Sequence, residues 1–115
     1  MTDISTKDDV SQLVNYFYSK VLKDEILAPF FRDLDLERHL PKMIHFWTFA
    51  LLDEPGYTTN VVEKHLHMSL KEVHFERWLS LFNESVDALF FGELANQAKQ
   101  RAMLIGWTIK SKMPQ

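Results

Sequence analysis

The 115-residue sequence contains no cysteine, which removes disulfide scaffolds, thiolate metal sites, iron–sulfur clusters and cysteine nucleophiles together. Glycine is scarce, and Gly56, Gly92 and Gly106 stand alone, so no glycine-rich phosphate loop exists. Turn punctuation is sparse and no apolar/polar alternation marks a strand. The longest nearly apolar run, Phe46 to Leu52, is broken by Thr48 and falls far short of a membrane span. The first twenty residues carry three Asp and no long apolar stretch, so no cleaved signal peptide is expected. Neither charge dominates, with 13 Lys and Arg against 16 Asp and Glu. A net charge of −3 supplies no generic drive toward nucleic acid or an anionic membrane. One cytoplasmic domain spanning residues 1–115 is the expectation from this length and composition.

Several catalytic patterns are missing as well. No Glu is followed three residues later by His, as a di-iron bundle requires. The zinc-protease pattern His-Glu-x-x-His is missing too. Lys99, Arg101, Lys110 and Lys112 form the one basic cluster and read as a solvated face.

What the chain does have is aromatic surface. Nine Phe, three Trp and three Tyr make 13% of the residues, joined by five Met. That is more than a core of this size needs, and it suggests a flat apolar partner. The spacing is helical. Val10, Leu13, Val14, Phe17 and Val21 predict a helix from about residue 6 to 23, capped by Ser5 or Thr6. Leu36, Leu40, Met43, Trp47 and Leu51 predict a second helix ending near Leu52, with Pro41 tolerable in its first turn. A short helix is expected at Val61 to about His67. Phe75, Trp78, Leu79, Phe82, Val86, Leu89 and Phe90 carry the strongest pattern, which Gly92 is expected to end. Leu94, Ala98, Ala102, Ile105, Ile109 and Met113 line the last helix. The fold class is all-α.

The five histidines separate by arrangement. His39 stands at i, i+4, i+8 with Met43 and Trp47, a polar tip at the end of an apolar stripe. His65 lies on the short helix, where a metal bond would add anchorage. His67 competes with it, since two residues apart on a helix they point roughly 200° apart. His74 suits a cap and His45 the surface or a helix interface. Tyr18 shares a face with Val14 and Val21, so its buried phenol needs a partner; the indole of Trp78 carries the same requirement.

Over nearly its whole length the sequence resembles the truncated haemoglobins, and among them the third group. The resemblance rests on Phe17-Tyr18 with Val21 and Asp24, Leu27-Ala28-Pro29-Phe30-Phe31, Phe46-Trp47 with Leu51-Leu52, Lys64-His65-Leu66, and His74 through Phe82. The glycine pairs of the other groups are absent, and Trp78 is present. The resemblance implies a two-over-two helical sandwich enclosing a b-type haem. It implies His65 as the proximal iron ligand, Tyr18 and Trp78 as distal donors, and His39 at the distal gate. Phe31 would pack the haem edge, Met43 would face the ligand side, Phe46 or Trp47 would meet the porphyrin, and Phe75 would join the cofactor contacts. Lys42 and Arg77 are candidates for the propionates.

The implied function is reversible binding of O2, CO or NO, suited to sensing, scavenging or redox chemistry with NO or peroxide rather than bulk carriage. Turnover of NO or peroxide would need an electron donor or reductase. The alternative from the residues alone is a haem-free helical domain whose aromatic surface binds a partner helix.

Overall fold

The computed structural model describes residues 1–32, 34–56 and 70–113. Within them run α1 (Lys7–Val21), a 3-10 turn (Ala28–Phe30), α2 (Leu36–Leu52), α3 (Glu72–Leu89) and α4 (Glu93–Lys112). No strand occurs among the described residues. The short helix expected near Val61 lies outside them.

α1 starts where the sequence places an anion. Thr6 is the cap: its hydroxyl accepts from the Asp9 N–H at 3.1 Å, and the Asp9 carboxylate accepts from the Thr6 N–H at 3.1 Å. This reciprocal box satisfies two donors that a bare helix end would leave open. The stripe Val10, Leu13, Val14, Phe17 and Val21 is buried, and Tyr18 joins it.

α2 occupies its expected span, opened by Asp35 accepting from the Glu37 N–H at 3.1 Å. Pro41 lies beyond the first turn, so the helix forgoes the bond to the Glu37 carbonyl. Glu37 is on an exposed turn, where water can take that place. Asp53 ends the helix in the left-handed region, φ 59°, a conformation Asp tolerates better than most residues.

The junction of α3 and α4 corrects one expectation. α3 stops at Leu89, and Gly92 caps the start of α4 instead of ending α3. Gly92 has φ 145°, and a Cβ there would lie 2.5 Å from Cγ of Asp3. The Asp3 carboxylate needs that closeness, because it accepts from the N–H groups of Leu94 at 3.0 Å and Ala95 at 2.9 Å. The cap of α4 therefore comes from the far end of the chain, which local spacing could not reveal.

α3 lies along α4, while α1 packs on both α2 and α3 and α2 touches α4 lightly. This is the two-over-two sandwich that the resemblance implies. Phe82, Leu13, Val10, Val86 and the small residues Ala98 and Ala102 are almost fully enclosed at its centre. Leu81 and Ser85, outside the expected stripe of α3, are buried, whereas Phe75, Trp78 and Leu79 are only half-buried. The same holds for Leu36, Leu40 and Met43 on α2. One flank of each helix thus carries apolar side chains that the described core does not fully cover.

Candidate ligand-binding site

Tyr18 projects inward from the last turn of α1 because it shares the apolar face of that helix, and only 8% of it is exposed. Its hydroxyl lies 2.8 Å from Nε2 of His39, near the start of α2. Phe31, just after the 3-10 turn, meets the Tyr18 ring edge-on with centroids 5.6 Å apart, and the His39 ring does so at 5.4 Å. Three separate elements thus converge on one phenol. Burial pushes the Tyr18 phenol well above the ordinary tyrosine range, so at neutral pH it remains a donor. When Tyr18 donates, Nε2 of His39 accepts and the ring proton sits on Nδ1; the other tautomer reverses the bond.

A second aromatic group adjoins the first. Trp78 on α3 stacks on Phe82 at 5.8 Å and 15°, and meets Phe17 edge-on at 6.0 Å. Phe17 touches Tyr18 at 5.4 Å, so it bridges Trp78 to the Tyr18–His39 pair. Trp47 stacks on Phe82 at 4.8 Å and is 6% exposed. It is part of the buried core. Its neighbour Phe46, edge-on at 5.2 Å, is half-buried, as are Met43 and Phe75. His65 and His67 lie outside the described residues.

The remaining histidines take the places their settings suggested. His74 accepts from the Lys71 N–H through Nδ1 at 2.8 Å, capping α3, and packs edge-on against Phe30 at 4.7 Å. His45, half-buried on α2, has Nε2 3.5 Å from the Pro55 carbonyl oxygen.

Arg77 departs from its suggested role at the propionates. Its guanidinium is paired with Asp24, whose side chain is 4% exposed. Asp24 also accepts from the N–H groups of Ile26 at 2.9 Å and Leu27 at 3.3 Å, so it ties the corner after α1 to α3. Burial opposes its charge, but the Arg77 bond and the two N–H bonds outweigh that and hold the carboxyl below its ordinary value. A folded-state pKa below the unfolded one adds stability that is present above the ordinary aspartate range. That stability is lost as pH falls below about 4 and through the folded value. Asp24→Asn is expected to cost about 1–2 kcal/mol at neutral pH, Arg77 being half exposed. Thermal unfolding followed at neutral and acid pH should show the gap between wild type and variant closing as pH falls. A gap that stays constant would deny Asp24 this role. The sequence pattern marked both residues but held no signal that they pair.

Comparison with known proteins decides the family. The profile of the bacterial-like globins matches residues 2–106. The chain belongs to this family. As a truncated globin it is 34% identical over 106 residues to the Group 3 truncated hemoglobin of Campylobacter jejuni, covering 86% of this chain and 84% of that one. It is 35% identical over 64 residues to the Group 1 truncated hemoglobin of Tetrahymena pyriformis, covering 55% and 53% of the two chains. Its fold is similar to the crystal structure of the group III truncated hemoglobin from Campylobacter jejuni, with a TM-score of 0.89 and 30% identity over 100% of this chain and 97% of that one. Globin membership implies a haem protein that binds small ligands.

The described residues of this truncated globin fit such a group. A flat apolar disc needs apolar side chains that the core does not fully enclose, and Met43, Phe75 and Trp78 are half-buried. A small polar ligand needs a hydrogen-bonding group within an otherwise apolar lining, and the Tyr18 hydroxyl is such a group.

Proposed function

We propose that this truncated globin holds a b-type haem and reversibly binds O2, CO or NO, with its own donors favouring O2. The observation that carries this reading is the buried Tyr18 hydroxyl 2.8 Å from His39 Nε2, surrounded by aromatic rings. Haem, when bound, would supply an iron able to take an imidazole from the protein and a small ligand.

Each residue then has a physical task. His65 provides the imidazole, a role that rests on the resemblance at Lys64-His65-Leu66. Phe31, Met43, Phe75 and Phe46 or Trp47 supply apolar contact and exclude water. Tyr18 holds a proton on a phenol that does not ionise at neutral pH, ready to donate to a small ligand. His39 accepts that proton's hydrogen bond in the meantime and stands at the distal gate, and Trp78 offers an indole N–H as second donor. Lys42, exposed on α2, is the remaining candidate for the propionates. Two donors for one ligand suit retention, hence sensing, scavenging or redox work with NO or peroxide through an electron donor.

Absorption spectra of the reduced protein, before and after CO, test the reading. A sharp Soret band that shifts with CO and is lost or displaced in His65→Ala is the expected result. The band's sensitivity moving to His67→Ala would transfer the ligand by two residues. No Soret band after added haemin would overturn the haem reading.

A further inference from the structure

α4 carries apolar side chains outside its buried face as well as on it. Its inner face buries Ala95, Ala98, Ala102 and Ile109 against the core. On the outer face Met103, Leu104 and Trp107 are 56%, 55% and 67% exposed. At i, i+1 and i+4 they form one apolar strip. Cations flank it. Lys99 and Lys110 lie along one side, each bonded at 2.7 Å to an acid of α3, Asp87 and Glu72. Arg101 and Lys112 lie along the other and are exposed. α4 carries four basic side chains against one acid, Glu93, in a chain whose net charge is −3. The chain-wide balance therefore hides a helix of opposite sign.

We propose that the outer face of α4 docks this protein peripherally on an anionic lipid surface, with Trp107, Met103 and Leu104 at the acyl boundary and Arg101 and Lys112 against the headgroups. A tryptophan flanked by aliphatic side chains and rimmed by Lys and Arg on a helix lying flat is the arrangement such surfaces retain. Area and shape favour lipid over a protein. Three side chains on one convex helix fall well short of the roughly 800 Å² per partner of a standard protein interface, whereas a bilayer conforms to a convex face. A second copy docking face to face would oppose two basic rims. No helix among the described residues is long and apolar enough to cross a membrane, so the contact is at the surface. The placement also suits the proposed ligands, since small apolar gases dissolve better in lipid than in water.

Co-sedimentation of the full-length protein with phosphatidylcholine vesicles, with and without phosphatidylglycerol, tests this. Wild type should pellet with the anionic vesicles and far less with the neutral ones. Trp107→Ser should weaken that binding about tenfold, and R101E with K112E should abolish it. Trp107 fluorescence should be quenched by brominated acyl chains. All three positions project into solvent, so unchanged circular dichroism confirms that the variants fold. No wild-type binding to anionic vesicles, or equal binding by wild type and variants, overturns the proposal. Absence of vesicle binding together with self-association that Trp107→Ser removes would assign the face to a second copy. The same absence with a monomeric protein would leave it to an acidic protein. Haem-free and haem-loaded protein should bind alike, so failure here is separate from failure of the haem reading.

Discussion

Replacing Tyr18 by phenylalanine in the haem-loaded protein is expected to speed O2 release by about ten- to a hundredfold, the worth of a hydrogen bond to a charged acceptor at about 1.5–3 kcal/mol. The basis is geometric. The phenol is 8% exposed, and burial keeps its proton in place. Phenylalanine retains the ring contacts with Phe17, Phe31 and His39, so packing is nearly conserved and the hydroxyl alone is removed. CO, a weaker acceptor, should respond far less. Trp78→Phe should act in the same direction with smaller effect, and the double variant should show whether the two donors share one ligand. His39→Leu carries the opposite sign, because it removes the acceptor that competes for the Tyr18 proton. Stopped-flow displacement of O2 measures all four rates. Identical off-rates in wild type, Tyr18→Phe and Trp78→Phe would deny both residues a role as donors.

Phe82→Ala is expected to cost about 3–5 kcal/mol, a large part of the 5–15 kcal/mol that typically holds a domain of this kind together. Phe82 is 1% exposed and is the largest of the nearly enclosed side chains. Its ring is stacked on Trp47 and Trp78 and meets Phe17 edge-on at 5.3 Å. Truncation leaves a cavity bordered by three rings too large to collapse into it. Trp78 would lose its stacking partner, so ligand rates should change along with stability. Urea unfolding gives the first quantity, with Phe91→Ser as a control. Phe91 is 77% exposed, and its replacement should change stability by less than about 0.5 kcal/mol. A loss below about 1.5 kcal/mol for Phe82→Ala would mean that the aromatic cluster repacks freely.

Much of this was legible in the residues. The stripes of α1 and α2 predicted their spans, and that of α1 its buried face as well, because a helix in a small domain must turn apolar positions inward. The need of Tyr18 for a partner was legible too, since a phenol on a buried stripe cannot be left unbonded. Which group answers that need was not. His39 lies 21 positions away, and helical spacing carries no information at that range. The role of Gly92 is hidden from local spacing for a related reason, since glycine serves at either end of a helix and the deciding contact comes from Asp3.

Composition and periodicity by themselves determined an all-helical protein rich in rings, without thiol or phosphate-loop chemistry and without the di-iron and zinc-protease patterns, and with Tyr18, His39 and Trp78 as polar tips on apolar faces. These properties are local and follow from residue type and a period of 3.6. Tertiary structure alone decided that Tyr18 meets His39 and that Arg77 serves Asp24. It also decided that Trp47 fills the core while Phe46 is only half-buried, and that the bases of α4 frame an exposed tryptophan. Those are distances between elements far apart in the chain, set by how the helices stack and by no pattern within any one of them.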